Sequence, residues 1–235
     1  MTTKPEKRQE LVEITYSKER WALLRGLRET TTKLLEVFQA RNIDAIVHGS
    51  IARGDVHKES DIDIFIPNPP SSFQIETTLE QAKIPITTRT VIQATPSYAM
   101  KAYIEIVETV QVSFPLMGLR SVERDFYKFS GEANIKQLRE DIRVVGVDKR
   151  LMLIEPTRTG HIESGIIGME DHVSKILGVE VQTVLDRVHA LTRRDMVGRT
   201  GVFLKNELKP DETFEMALNR LAVENPAVRR RLKNF

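Results

Sequence analysis

The chain has 235 residues, 29% of them charged and 40% hydrophobic, which is enough for a buried core and for two compact units. It contains no cysteine, so disulfides and thiolate metal sites are excluded. Its first residues do not resemble a signal peptide, and no apolar run approaches the roughly 20 residues that cross a bilayer. We therefore expect a cytoplasmic protein with no membrane partner.

The net charge of +2 is unevenly distributed along the chain. Residues 187–235 carry eleven Lys or Arg against six Asp or Glu, so this end is locally basic. A basic segment is typical of nucleic-acid partners, but it is also typical of an ordinary solvated surface. The charge alone leaves both explanations open.

Helical and strand patterns alternate through the first half of the chain. Apolar residues at helical spacing predict an amphipathic helix over 18–40, and a second helix is predicted over 73–83. Short β-branched runs predict strands over 43–49, 61–67, 87–95, 102–107 and 109–116. This order predicts an α/β (α+β) fold with a mixed sheet.

Two aspartates alternate with isoleucines in the second predicted strand, DIDIFI. Strand side chains alternate between faces, so Asp61 and Asp63 project from one surface while Ile62 and Ile64 face the core. Two carboxylates this close repel each other unless a cation lies between them. Oxygen ligands of this kind suit Mg²⁺.

A glycine-serine pair ends the strand before it. Gly49 allows a sharp turn, and Ser50 can begin a helix whose free N–H groups and hydroxyl attract phosphate. Carboxylates that bind a metal, combined with a phosphate-binding turn, indicate chemistry on a nucleotide.

The order of Gly49-Ser50, ten residues, then Asp61-Ile62-Asp63-Ile64 resembles the DNA polymerase beta-like nucleotidyltransferase superfamily. The string GSIARGD and Ser60, just before the first aspartate, are similar to the small, minimal nucleotidyltransferases. The resemblance covers roughly residues 18–116.

The resemblance implies two-metal phosphoryl transfer from an NTP to a hydroxyl acceptor. Asp61 and Asp63 would hold two Mg²⁺ ions, and Gly49 and Ser50 would bind the β and γ phosphates. Arg53 and Ser60 are added as nucleotide-binding candidates. For Arg53 the alternative is a solvent-facing arginine on the first helical turn.

The family has a third carboxylate on a neighbouring strand, and here the sequence departs from the pattern. The expected position holds Gln111, whose neutral amide cannot act as a base. If residues 107–109 form a hairpin turn, Glu105 stands opposite Gln111 and could be the third catalytic and metal-binding acid. Alternatively, Glu105 is an exposed strand residue; Glu108 in the turn is the weaker candidate.

The remaining residues predict a connecting region and a second module. Residues 121–129 and 132–141 have helical patterns, 143–156 a hairpin pattern, and the polar segment 157–165 suggests a boundary. We therefore predict a nucleotidyltransferase domain over 1–120, a connecting region over 121–160 and a mostly α-helical module over 161–235.

Residues 172–194 resemble a helix-turn-helix of the winged-helix type, with Gly178 at the turn. This resemblance implies that the second helix contacts DNA or RNA. The candidates in the predicted interface are Gln182, Thr183, Arg187, Arg193 and Arg194. Arg199 is a further candidate phosphate contact. The alternative is a helical pair packed on the first domain or on another subunit.

Two functions are compatible with these patterns. One is a Mg²⁺-dependent nucleotidyltransferase, with nucleic acid as one candidate acceptor. The other is a nucleic-acid-binding regulator whose nucleotide domain turns over little or nothing, which Gln111 favours. Helix-turn-helix modules often work as dimers, so a homodimer is one expected state.

Overall fold

The structure is a computed structural model that describes residues 5, 10–198 and 201–233. Within these residues the strands are β1 (Val12–Thr15), β2 (Ile46–His48), β3 (Ile62–Phe65), β4 (Thr88–Gln93), β5 (Lys101–Val107), β6 (Val110–Pro115), β7 (Glu132–Asn134), β8 (Gly146–Val147), β9 (Met152–Pro156), β10 (Gly160–Gly165) and β11 (Leu204–Glu207). The helices are α1 (Lys18–Gln39), α2 (Ser50–Arg53), α3 (Ser72–Gln81), α4 (Ser121–Phe129), α5 (Ile135–Arg139), α6 (Glu170–Leu177), α7 (Val181–Val197), α8 (Phe214–Glu224) and α9 (Pro226–Lys233). The α/β fold class and the mixed sheet predicted from the sequence are confirmed.

The chain forms two units, each assembled from three separated segments. The first unit comprises Met1–Thr32, Val47–Ser60 and Ser121–Thr200. The second unit comprises Lys33–Ile46, Asp61–Arg120 and Gly201–Phe235. The modules predicted over 1–120, 121–160 and 161–235 are continuous stretches of sequence, whereas each unit combines separated segments. The change of unit between Thr200 and Gly201, for example, falls inside the stretch 161–235. The three modules stay a prediction.

The second unit is built around a mixed sheet in the order β11-β4-β5-β6-β3. Strands β3 and β6 run parallel, whereas β4, β5 and β6 form an antiparallel meander that β11 extends. One face of this sheet is apolar and buried, and Phe114 on it meets Phe214 of α8 at a ring separation of 5.4 Å. The other face carries the polar residues of the candidate site.

The first unit contains an antiparallel sheet in the order β1-β10-β9-β8. Its core joins Phe129 of α4 and Leu153 of β9 to Val173 and Val184 of the α6–α7 pair. The two helices therefore complete a core with α4 and β9 rather than forming one of their own.

Two segments contain structure that their local sequence pattern does not predict. The pattern over 132–141 predicts a helix, but α5 begins only at Ile135, because Asn134 and Gln137 form a reciprocal capping box that fixes the helix start there. Within the polar segment 157–165, where a boundary is predicted, Gly160–Gly165 form β10 between β1 and β9, and the boundary itself stays a prediction. Backbone pairing with a strand about 150 residues earlier decides this structure, and a local pattern does not record it.

None of the helices in the described part of the chain combines the length and apolar character that a membrane span requires.

A buried polar chain links Tyr16, the residue after β1, to β10 in the first unit. The Tyr16 hydroxyl lies 2.6 Å from Nδ1 of His161, which is 2% exposed. Nε2 of His161 lies 3.6 Å from Glu163 and has no hydrogen-bond partner among the described residues. Burial lowers the pKa of His161, and it raises the pKa of Tyr16 to about 12. Glu163 is held by Arg150 at 2.6 Å.

Acidification is expected to destabilise the protein through His161. Its pKa is lower in the folded state than the unfolded value of about 6.5, so the unfolded chain takes up the proton first as the pH falls. Stability is lost from about pH 6.5 downward, by at most about 1.4 kcal/mol per pH unit for this one group. Urea unfolding between pH 7.5 and 5.5 should show a smaller loss for His161→Gln than for the wild type.

The groups that face His161 fix this pH window. Besides Tyr16 they are the carboxylates of Glu163 and Asp55 and the guanidinium of Arg20. The pKa of Glu163 is held low by Arg150, so its titration falls below the window. Identical pH slopes for the two proteins would contradict the prediction.

Candidate active site

The two aspartates lie at the beginning of β3 in the second unit. Asp61 directly precedes the strand and is exposed, and Asp63 is half-buried within it. Ile62 and Ile64 are 3% and 0% exposed, so the alternation in DIDI places the isoleucines in the core as expected. The carboxylates thus belong to the polar face of the sheet.

Polar side chains continue from Asp63 across the sheet as one row. Asp63 pairs in register with Gln111, Gln111 with Glu105, and Glu105 with Thr88. The Gln111 amide nitrogen donates to Oδ1 of Asp63 at 2.5 Å, and the Thr88 hydroxyl donates to Oε2 of Glu105 at 2.8 Å. Strands are about 4.8 Å apart, so Glu105 stands roughly 10 Å from Asp63 with Gln111 between them.

The pairing of Glu105 with Gln111 agrees with the sequence prediction, but the turn that produces it differs. The chain reverses at Glu108 and Thr109, and the register shifts between Glu105 and Val107. A bulge of this kind inserts one extra residue into β5. A two-residue turn alone would place Glu105 on the face opposite Gln111, and the bulge returns Glu105 to the face of Gln111. Glu108 is exposed in this turn, outside the row.

Tyr103 lies on the same polar face, one position along from the row. It pairs with Ser113, the neighbour of Phe65 on β3. Burial, and then the negative charge of Asp63, raise the pKa of Tyr103 to about 12, so its hydroxyl stays a hydrogen-bond donor. Tyr103 and Thr88 belong to this polar face, although the sequence motif does not include them. Tyr103 lies two residues before Glu105 on β5, and Thr88 on β4 pairs with Glu105.

The glycine-serine turn lies in the first unit and is held by a short polar network. Gly49 has φ 84° and ψ −146°, and its N–H donates to the carbonyl of Gly131 at 2.9 Å. Ser50 begins α2 and donates from Oγ to Oγ of Ser60 at 3.1 Å, while Ser60 Oγ accepts from the His57 N–H at 2.9 Å. Ser60 is buried, so it positions Ser50 rather than presenting its own hydroxyl.

Replacing Gly49 with alanine is expected to destabilise the protein by about 1–3 kcal/mol, since its backbone conformation is one that essentially only glycine adopts. No atom lies within 4 Å of an added Cβ, so the loss would come from the backbone alone. Gly26→Ala is the matched control: it is equally open but lies inside α1, where alanine should stabilise by about 1 kcal/mol. Urea midpoints that shift in the same direction for both variants would contradict this explanation.

Arg53 does not have the solvent-facing position that was the alternative to phosphate binding. It is 5% exposed and forms a two-pronged ion pair with Asp55, at 3.0 Å from Nε and 2.8 Å from Nη2. Nη1 donates to the carbonyl of Ser130 at 2.5 Å. The guanidinium is thus bound within the first unit and is not solvent-facing, and its proposed contact with a phosphate stays a prediction.

The donor set at β3 fits an oxygen-liganded divalent cation. Mg²⁺ is typically bound through one or two carboxylates, with substrate phosphates and water completing the shell. Asp61 and Asp63 supply the carboxylates, whereas Gln111 offers an amide. Among the described residues no three His, Cys, Asp or Glu side chains cluster as a metal site.

The helix pair predicted near Gly178 is present as α6 and α7, with Gly178 in the left-handed conformation between them. Of the proposed interface residues, Gln182, Arg193 and Arg194 are exposed. Thr183 is 2% exposed, and Arg187 stacks over the Phe126 ring at 4.9 Å. Thr183 and Arg187 thus face the core of the first unit, and Arg199 lies outside the described residues.

The basic end of the chain also has structural contacts. Arg231 of α9 is buried and donates to the carbonyls of Ser97 and Gly118, at 3.1 and 2.7 Å. This arginine binds loops of the second unit, a role that neither a nucleic-acid contact nor an ordinary solvated surface describes.

Residues 27–117 match a family model described as the nucleotidyltransferase domain. The match covers less than half of the chain and includes Gly49, Ser50, Asp61, Asp63 and Gln111. It supports nucleotidyl transfer as the general activity and agrees with the mixed sheet.

A solved structure described as the structure of the GLD-2/RNP-8 complex is 15% identical to the chain, with a TM-score of 0.28. The alignment covers 49% of this chain and 46% of that one, so the match spans less than half of the other protein. A comparison with curated proteins found no significant match.

Proposed function

We propose that the protein is a Mg²⁺-dependent nucleotidyltransferase that transfers a nucleoside monophosphate from an NTP to a hydroxyl acceptor. The observation that carries this proposal is the placement of Asp63 between two buried isoleucines at the head of a polar row, inside the stretch that matches the nucleotidyltransferase domain. The acceptor oxygen forms a bond to the α-phosphorus, the bond from that phosphorus to the bridging oxygen breaks, and pyrophosphate leaves.

Each residue of the site has a proposed role that follows from its chemistry. Asp61 and Asp63 would hold two Mg²⁺ ions, which supply charge neutralisation at the attacking and leaving oxygens. Gly49 and Ser50 would bind the β and γ phosphates, with Ser50 oriented by its bond to Ser60. Gln111 fixes the orientation of Asp63 through their hydrogen bond.

Glu105 is proposed as the group that accepts the acceptor's proton. Its Oε2 already accepts from Thr88, so the carboxylate is held on the polar face. As a metal ligand it would have to extend across Gln111, whereas a hydroxyl lying over the row could reach it directly. We therefore place it with the acceptor more readily than with the metal.

The test is transfer of label from each of the four α-labelled NTPs, with Mg²⁺, to RNA, DNA, protein and small hydroxyl acceptors. Labelled product that requires the divalent ion, and is absent for the Asp61→Ala, Asp63→Ala double variant, supports the proposal. Release of labelled monophosphate to water alone would indicate a hydrolase instead.

A second function is a nucleic-acid-binding regulator that senses nucleotide without turnover, as a homodimer in the manner of helix-turn-helix proteins. The neutral amide of Gln111, where the family has its third carboxylate, favours it, as does the exposed part of α7 with Gln182, Arg193 and Arg194. NTP binding by calorimetry without transfer to any acceptor, together with retention on duplex DNA or RNA, would support this function over the first.

A further inference from the structure

A cleft of about 450 Å³ lies in the second unit, along one face of α3. Its walls are the turn after α1, the loop after β3 that contains Pro69 and Pro70, and the residues of α3 that recur at helical spacing from Phe73 to Gln81. The opposite face of α3 carries Ile75 and Leu79, both fully buried. One face of this helix thus packs into the core and the other forms the cleft.

Phe73 gives the cleft a large exposed aromatic surface. Its side chain is 73% exposed, although α3 buries its other large apolar residues completely. The two prolines opposite have restricted backbones, so they form a stiff second wall. An exposed ring beside a stiff wall suits a flat ligand that stacks on the ring.

Apart from Ile43, the rest of the lining is polar and contains no carboxylate among its described members. Asn42, Asn68, Gln74 and Gln81 contribute four carboxamides, each with both donors and acceptors. The side chains of Asn42 and Asn68 have no hydrogen-bond partner within the described residues, so their amides are available to a ligand. This lining can pair with the edge of a nucleobase, which also presents both donors and acceptors.

Arg41 adds one positive charge to the cleft. Its guanidinium donates to Oε1 of Gln81 and has no acidic partner in the described part of the chain. Glu76, on α3, lies outside the lining and is bound by Arg89 at 3.0 Å. Arg41 is therefore the candidate phosphate contact of the cleft.

The cleft and the polar row lie on opposite sides of the sheet. Glu76 of α3 binds Arg89, whose register partner on β5 is Ile104 of the buried apolar face, so α3 packs on that face. The aspartates and Glu105 belong to the other face. A strand that occupies the cleft and presents its hydroxyl end to the polar row would therefore have to pass around an edge of the sheet.

We propose that this cleft binds an unpaired base of a single-stranded polynucleotide, with Phe73 stacking on the base, the carboxamides pairing with its edge and Arg41 contacting the backbone phosphate. The inference rests on the proposed transferase function in one respect: the bound strand would carry the acceptor hydroxyl. A duplex is a poor occupant, because its bases are already stacked and their edges paired.

The test is fluorescence anisotropy with the full chain and a 12-nucleotide mixed-sequence strand, as labelled RNA, as DNA of the same sequence, and as a blunt duplex. Phe73→Ala is expected to weaken single-strand binding about 5- to 100-fold, the range for one base stacked on an aromatic ring. Val223→Ala, which truncates a 76% exposed apolar residue of α8, is the matched control and should bind within about two-fold of wild type. The RNA and DNA arms identify the strand.

Arg41→Gln provides a second readout. Loss of one phosphate contact should reduce the slope of log affinity against log salt by about 0.7 for a single strand. A wild-type slope in this variant, equal binding by the Phe73 and Val223 variants, or equal affinity for duplex and single strand would overturn the proposal.

These measurements separate the cleft from the transferase function, because they need neither NTP nor metal. Binding that depends on Phe73 without any label transfer would refute the proposed activity and leave the cleft standing. Label transfer without Phe73-dependent binding would support the proposed activity and refute the proposal for the cleft.

Discussion

Replacing Asp63 with asparagine should lower the rate of nucleotidyl transfer by about a thousand-fold while leaving the fold intact. A metal-bound carboxylate contributes several kcal/mol of charge stabilisation in the transition state, and about 4 kcal/mol corresponds to a factor of a thousand. Asparagine keeps the shape of the side chain, and its Oδ1 can still accept from the Gln111 amide. The substitution therefore removes a charge and little else.

The measurement is single-turnover transfer from the preferred α-labelled NTP, with unfolding free energies determined in parallel. Asp44→Asn is the matched control, since Asp44 is an exposed aspartate of the same unit outside the polar row. It should transfer at the wild-type rate. Transfer by Asp63→Asn within ten-fold of wild type would remove Asp63 from the proposed chemistry.

The parts of the site that follow strand parity could be predicted from the sequence. Ile62 and Ile64 are buried as the alternation in DIDIFI requires, and Glu105 does pair with Gln111. The apolar residues of the helix pair, among them Val173 and Val184, do form its inner face. Period two and period 3.6 are local properties, so a sequence records them directly.

The contacts that could not be predicted join distant segments. The sequence around Arg53 gives no sign that Ser130 supplies a carbonyl to its guanidinium. Likewise, nothing in residues 157–165 shows that they would pair with β1, or in Leu204–Glu207 that they would extend the sheet at β4. These choices depend on which strand edges and buried charges remain to be satisfied once the rest of the chain has folded.

The helix pair shows how a correct local prediction can leave function open. Its two helices and Gly178 lie where the sequence placed them. However, Thr183, expected at a nucleic-acid surface, has its hydroxyl buried with no hydrogen-bond partner among the described residues. The spacing of apolar residues fixes which face is inward, and the inward face includes this polar candidate as well.

Arg53→Ala is expected to lower the free energy of unfolding by about 3–5 kcal/mol. The Asp55 side chain is 10% exposed, so removing its partner leaves a buried carboxylate without a counter-charge. The carbonyl of Ser130 loses its donor as well. Breaking a buried pair from one side is far more damaging than replacing both members, because the remaining charge cannot return to water.

Urea denaturation measures this loss directly, as a lower midpoint with an unchanged slope. Arg25→Ala, at an exposed position of α1, is the matched control and should change the stability by less than about 0.5 kcal/mol. Replacing the pair together, as Arg53→Met with Asp55→Asn, should recover part of the loss, since no uncompensated charge remains. If Arg53 instead served a phosphate, Arg53→Ala would keep wild-type stability and weaken NTP binding, the opposite pattern in both measurements.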